Sequence, residues 1–284
     1  IWRAVEPTLP ANSALRGFLK PEPLALLEEL ESEETPHHRR EEIGLRLNQM
    51  GDPRRGVGVD ANGVPEIAWV DIPAGRVVLE TTGRHAFVVR PFRLARYAVT
   101  WAQFRAFVAA EDGYREDSWW EGRPREDEPG DLLWAFDNYP AVNVSWYDAM
   151  AFCRWLSTKL GFEVRLPTEW EWQWAAAGNP DYPWWGEWDD RLANSLDSGI
   201  SRTLAAGLYP SGRSPFGLDD IAGNVREWCV NTYEDPDKDV VARESSRVLR
   251  GGAWSARAEH CRVTSRFRNH PGLRGNNIGV RLCC

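Results

Sequence analysis

The chain has 284 residues, 43% of them hydrophobic, 16 of them Trp, and a formal net charge of −8. That length can bury a sizeable core, as one large domain or a domain with an appendage, and the composition excludes a disordered chain. The acidic balance argues against general nucleic-acid binding, and no apolar run reaches the roughly 18 residues of a membrane span.

Residues 1–20 lack a long apolar stretch behind a basic start, so no signal peptide is visible and a cytoplasmic location is favoured. The chain starts at Ile1, and an upstream region is expected to be missing. Cys153, Cys229, Cys261, Cys283 and Cys284 have no CxxC spacing, which suits reduced thiols rather than a zinc site or disulfide framework. An adjacent Cys283–Cys284 pair could still cross-link on oxidation. Among the basic residues only Lys20, Lys159 and Lys238 are lysines, the bias of a GC-rich bacterial genome.

In chain order, Pro21-Glu-Pro23 precedes helical text at Leu24–Leu30, and a second helical stretch carries Ile43 and Leu47. Residues 1–63 read as a helical lead-in or linker. Strands are expected at Ile67–Ile72, Val77–Glu80 and Phe87–Ala95, separated by Pro73-Ala-Gly75 and Thr82-Gly83. Thr100 with Gln103 makes a capping box ahead of Phe104 and Phe107. A second helix starts near Ser145 and stops at Gly161, and Thr168 with Glu171 caps a third. Text beyond Gly178 is loop-rich, and strands are expected again only in the tail. The chain should therefore be α+β with a small antiparallel sheet.

Seven motifs occur in a telling order: Val70-Asp-Ile-Pro-Ala-Gly75, Tyr97-Ala-Val-Thr100, Pro140-Ala-Val-Asn-Val-Ser-Trp146, Arg165-Leu-Pro-Thr-Glu-Trp-Glu-Trp172, Gly217-Leu-Asp-Asp-Ile-Ala-Gly-Asn-Val-Arg-Glu-Trp228, Arg250-Gly-Gly-Ala-Trp254 and Ile278-Gly-Val-Arg281. Together they make residues 64–284 resemble the sulfatase-modifying-factor (formylglycine-generating enzyme) domain, which implies a C-type-lectin-like fold. A fold with little regular structure needs large aromatic anchors, so the Trp residues read as core. Carbohydrate stacking is the other use open to Trp119, Trp120, Trp184, Trp185 and Trp188, which lie in loop-like text.

The family's enzymes use two chemistries, and neither fits these residues. Formylglycine-generating enzymes bind copper through two nearby cysteines, whose positions fall here on Ala256 and Cys261. One thiol cannot supply a two-thiolate copper site. The sulfoxide synthases of the family bind iron through three histidines. Here His37 and His38 are adjacent and cannot form an i, i+4 metal pair, and His260 and His270 lie in the irregular tail. No copper or iron is expected. Glu169 and Glu171 read as complements to a helix dipole. The resemblance also maps a structural calcium site onto Asp220, Gly223, Val225 and Glu227, with Asn194 marking a second; pairing of Glu227 with an arginine is the alternative.

Between Trp254 and Ile278 lies a segment with neither helical nor strand periodicity, framed by turn glycines and apolar residues. This frame resembles the variable proteins of diversity-generating retroelements, in which adenines of selected codons are mutated to give a residue set that lacks Lys, Gln, Glu, Met and Trp. Ser255, Ala256, Arg257, His260, Val263, Ser265, Phe267, Arg268, Asn269, His270, Gly272, Leu273, Gly275, Asn276 and Asn277 all belong to that set, whereas Glu259 would have to be a fixed position. The resemblance implies a non-catalytic ligand-binding protein with a hypervariable surface, recognising a protein or other macromolecular ligand. An oxidoreductase or other family enzyme is the alternative. The variable positions should be mostly exposed on one face, with Trp254, Ile278 and Val280 buried.

Overall fold

The computed structural model describes residues 19–79, 85–126, 129–131, 133–176, 181–184, 186–235 and 245–284. Each of the three central helices starts with a reciprocal capping box. Thr100 accepts from the Gln103 N–H while the Gln103 side chain accepts from the Thr100 N–H, opening the helix Trp101–Ala109 (α3). Ser145 and Asp148 do the same for Trp146–Leu160 (α4), which ends at left-handed Gly161 with φ 74°. Thr168 and Glu171 open Glu169–Ala175 (α5).

Where α3 and α4 meet, Phe104, Phe107, Phe152 and Trp155 form a ring cluster. Trp101, Trp146, Trp172 and Trp228 are fully buried, the large anchors a loop-rich fold requires. Of the Trp residues in loop text, Trp120 and Trp184 are buried, Trp119 and Trp188 are half-buried, and Trp185 lies outside the described residues.

Helices Glu22–Leu30 (α1) and His37–Met50 (α2) pack onto this core. Leu26, Leu30, Ile43 and Leu47 join the same cluster as Leu204 and Leu208. The Arg40 guanidinium, 1% exposed, donates to the carbonyls of Leu30, Ser32, Thr35 and Leu208. Val59 bridges to Pro65 across a turn, so the chain runs without a break from the helices into the strands.

Trp69–Ile72 (β1) pairs antiparallel with Phe92–Ala95 (β4), and Gly75–Leu79 (β2) pairs with His85–Val89 (β3). The expected single strand Phe87–Ala95 is thus two, divided at Arg90-Pro91, because proline lacks the N–H a ladder needs. The expected turn at Thr82-Gly83 lies outside the described residues.

A four-stranded sheet forms the other half, in the order β7-β6-β5-β8: Phe267–Asn269, Arg247–Arg250, Arg226–Thr232 and Ile278–Gly279. Strand β5 was not expected from the sequence, which placed returning strands only in the tail. Beyond β8 the chain continues beside β4, with Val99 N donating to Val280 O (2.7 Å), Ala95 N to Leu282 O (2.8 Å) and Arg93 N to Cys284 O (3.0 Å). The fold is α+β, as expected.

Candidate functional site

After β6 the backbone must turn sharply. Gly251 and Gly252 have φ of 99° and 76°, and a Cβ on Gly252 would lie 2.7 Å from the Cys261 Sγ, so only glycine fits there. Main-chain bonds then fasten the segment to the scaffold along its length. Trp254 N donates to Asn224 O (2.9 Å), Trp146 N to Pro271 O (2.9 Å), Asn143 N to Gly275 O (3.0 Å) and Arg226 N to Asn277 O (2.9 Å).

Two tail arginines complete the attachment. Arg266 donates to both oxygens of fully buried Glu169 (2.6 and 2.8 Å) and to the Tyr233 carbonyl (2.6 Å). Arg274 donates to both oxygens of buried Asp148 (3.0 and 2.9 Å) and to the Tyr114 hydroxyl (3.1 Å). Burial and the neighbouring Asp148 charge push the Tyr114 hydroxyl well above its ordinary pKa, so it stays protonated. Neither arginine is among the candidate variable positions. Glu169 therefore does more than complement a helix dipole, and Asp148 both caps α4 and holds the tail; its Ser-x-x-Asp spacing was the one local signal.

Arg257, His260, Arg268, His270, Gly272, Leu273 and Asn276 are exposed, and Ser255, Ser265, Phe267, Asn269, Gly275 and Asn277 are partly exposed. Ala256 and Val263 are buried, the two exceptions among the fifteen candidate positions. Ala256 packs with Tyr182, Trp184 and Cys261. The main chain at Val263 is tied to the Asp181 carbonyl (2.7 Å), which turns its side chain into the cluster of Trp172 and Cys229.

Ile278 and Val280 are buried at 2% exposure, but Trp254 is not. The turn swings its indole over the tail, where Nε1–H donates to Asn276 O (3.1 Å) and the ring meets Trp134 edge-on at 5.5 Å. Contacts tie the ends of the segment together: Asn277 Nδ2 donates to Ser255 Oγ (3.1 Å), and the His260 and Phe267 rings lie 5.7 Å apart. Arg268 turns to the opposite side of β7, over Tyr233 and towards Glu234, because side chains alternate along a strand. The expected single face therefore lacks Arg268.

The copper of the family's oxygen-activating enzymes does not fit these residues. Cys261 is buried and its thiol is pushed up to about 12, chiefly by burial, which keeps it protonated. Its neighbour in the apolar cluster is Ala256, which has no donor atom. An iron site is no better served. His37 Nδ1 lies 2.8 Å from the Tyr209 hydroxyl, and His260 and His270 are exposed in the tail. Among the described residues no group of three His, Cys, Asp or Glu side chains could hold a metal.

The side chains mapped to calcium, Glu227, Asp220 and Asn194, have protein partners. Arg281, fully buried, donates to Glu227 Oε1 (3.0 and 2.7 Å) and Oε2 (2.9 Å), and Trp172 Nε1–H donates to Oε2 (2.6 Å). Glu227 is thus paired with an arginine and is no free cation ligand. Asp220 accepts from Gly207 N (2.6 Å), while the Asn194 amide donates to Arg202 O and Asn224 Oδ1 and accepts from Ser198 Oγ. Gly223 and Val225 lie in the same turn, with Gly223 N donating to Gly251 O (2.8 Å). With Glu227 committed to Arg281, the side chains of this turn do not by themselves offer the six to eight oxygens that calcium takes.

Residues 59–284 match the sulfatase-modifying factor enzyme 1-like domain. The chain belongs to that family. It is 35% identical over 167 residues to the serine/threonine-protein kinase pkn1 of Chlamydia caviae, a match over 54% of this chain and 24% of the kinase. It is 29% identical over 273 residues to the inactive C-alpha-formylglycine-generating enzyme 2 of Mus musculus, covering 75% of this chain and 84% of that protein. Among solved structures, Treponema denticola variable protein 1 superposes with a TM-score of 0.57 at 25% identity, over 77% of this chain and 95% of that one. The fold is the C-type-lectin-like fold of the formylglycine-generating type. The family includes an inactive relative, so membership does not by itself make this domain an enzyme.

Proposed function

We propose that this family member is a non-catalytic binding module whose surface at residues 255–277 is diversified by a retroelement and recognises a protein. The observation that carries the reading is the division of labour in the segment. Its backbone, Arg266 and Arg274 are bonded to the scaffold, while thirteen of the fifteen candidate side chains remain at least partly exposed. Exposed substitutions usually change stability by within about half a kcal/mol, whereas core truncations cost about 2–5. Variation is therefore tolerable at the seven exposed positions, more costly at partly exposed ones such as Phe267, and confined to small apolar residues at Ala256 and Val263. A backbone held in advance also lowers the ordering cost of binding.

The likeness to a variable protein supports the same reading, as does the lone protonated thiol. The catalytic alternative predicts conversion of a cysteine-containing sulfatase peptide to formylglycine when copper is supplied; the expected mass spectrum is unchanged. The direct test is selection from a displayed random-peptide library, comparing the native protein with an Arg257→Ser, Arg268→Ser, Leu273→Ser variant. Peptides that bind the native protein and not the variant support the reading. Equal binding to both sinks it. Diversification itself is read from the locus: a reverse transcriptase gene beside a near-copy of codons 247–284 that differs at adenines.

A further inference from the structure

Arg226 opens β5 two residues before buried Trp228 and so shares its face of the sheet. Trp228 pairs with Leu249, and Leu249 pairs with Phe267, which puts Phe267 on that same face. The Arg226 guanidinium lies over the Phe267 ring, 4.3 Å from its centroid, and the His260 ring meets Phe267 edge-on at 5.7 Å. The Arg226 main chain is held by the tail itself through Asn277 O. A half-buried cation thus stands in the middle of the proposed binding surface.

What sets Arg226 apart is its lack of an acceptor. Its Nε is buried and makes no hydrogen bond, and no carboxylate or carbonyl among the described residues pairs with its guanidinium. Arg247 and Arg250 also have an unbonded buried Nε, but their terminal nitrogens donate to Val230 O, and to Thr264 O, Ser265 O and Gln173, respectively. Arg266, Arg274 and Arg281 each grip a buried acid. Burial draws the Arg226 pKa below the ordinary arginine value; the nearby Cys261 thiol opposes that shift, and no carboxylate contributes to it.

A desolvated charge without a counter-charge is costly, and a ring face offsets only part of the cost. A carboxylate offered to the guanidinium fork would form two parallel charge-assisted bonds and recover the rest. The tail also carries exposed Arg257, and exposed Arg262 that lies 3.8 Å from Asp181, with Glu259 as the exposed acid on the same segment. We infer that Arg226 is a carboxylate-binding residue built into the variable surface, where it receives an acidic side chain of the protein partner beside the Phe267–His260 pair. This inference rests on the proposed binding reading. Because Arg226 lies outside 255–277, every variant of the tail would keep it. Diversification would then change the surroundings of one constant acidic anchor.

The probe is N-acetylglutamate N-methylamide, with the corresponding glutamine compound as the neutral control. Each is titrated into protein labelled with 15N-arginine while the side-chain Nε–H resonances are followed. The Arg226 resonance is assigned by its loss in Arg226→Gln, whose Tm is expected to equal or exceed that of the native protein because an unpaired half-buried charge has gone. The expected result is a saturable Arg226 shift with the acid at least threefold larger than with the amide, and larger than that of exposed Arg257. Equal shifts with both compounds, or a shift no larger than that of Arg257, would overturn the inference.

The two ideas fail separately. Library peptides that require Arg257, Arg268 and Leu273 but ignore Arg226→Gln would remove the acidic anchor and leave the binding reading standing. An Arg226 that titrates with the acid, in a protein for which peptide binding ignores the tail variant, would do the reverse.

Discussion

Replacing Arg281 by Met and, separately, replacing Arg257, Arg268 and Leu273 by Ser should separate the scaffold from its displayed surface. Arg281 is fully buried and donates to both oxygens of Glu227 and to the carbonyls of Ala95, Arg96 and Asp219. Methionine fills similar space but leaves Glu227 bonded only to Trp172 and the three carbonyls without that donor. Removing one partner of a buried pair costs about 3–5 kcal/mol. At about 2–4 °C per kcal/mol for a chain of this size, the melting temperature should fall by roughly 10 °C.

The triple change removes only exposed groups. Arg268 and Glu234 approach to 3.3 Å with both side chains more than half exposed, a pair contributing about 0–1 kcal/mol. The sum is about 2 kcal/mol at most, or roughly 6 °C. Thermal melts followed by tryptophan near-ultraviolet circular dichroism read both variants against the native chain. Trp254→Ala should cost about 1–2 kcal/mol, well short of Arg281→Met, since the indole is only half-buried. If the triple variant melts as low as Arg281→Met, the tail side chains hold the fold together and the division argued from exposure is wrong.

Calcium supplies a second check. With Glu227 committed to Arg281, neither millimolar calcium nor a chelator should move the melting temperature; a calcium-dependent rise of several degrees would show that a cation site forms there after all. Asp220 supplies a third, because burial, reinforced by neighbouring Asp219, pushes its pKa up from 3.8 to about 6. The folded state therefore holds a proton that the unfolded state has released between about pH 4 and 6, so this group's contribution is full below about pH 4 and is lost as pH rises through 6. Asp220→Asn keeps the acceptor for Gly207 N and suits the residue's φ of 55°. It should match the native melting temperature near pH 4 and exceed it at pH 8, by about 1 kcal/mol once the partial exposure is allowed for. A difference independent of pH would refute the assignment.

The sequence by itself determined the features that arise within four residues of chain. Thr100–Gln103 and Thr168–Glu171 specify helix starts through reciprocal bonds, Gly161 specifies a stop, and Gly251-Gly252 specifies a turn. The ordered motifs added the family and its fold. Strand β5 escaped notice because its residues, buried on both faces, lack the alternation that marks a half-exposed strand. Tertiary structure alone decided which tail residues belong to the surface. Arg266 meets Glu169 across 97 positions, Arg274 meets Asp148 across 126, and Arg281 meets Glu227 across 54. No local pattern distinguishes those arginines from Arg226, which meets no acid, or Ala256 and Val263 from their exposed neighbours. Burial and ion pairing are set by what the distant chain brings alongside, and that is a property of the folded molecule.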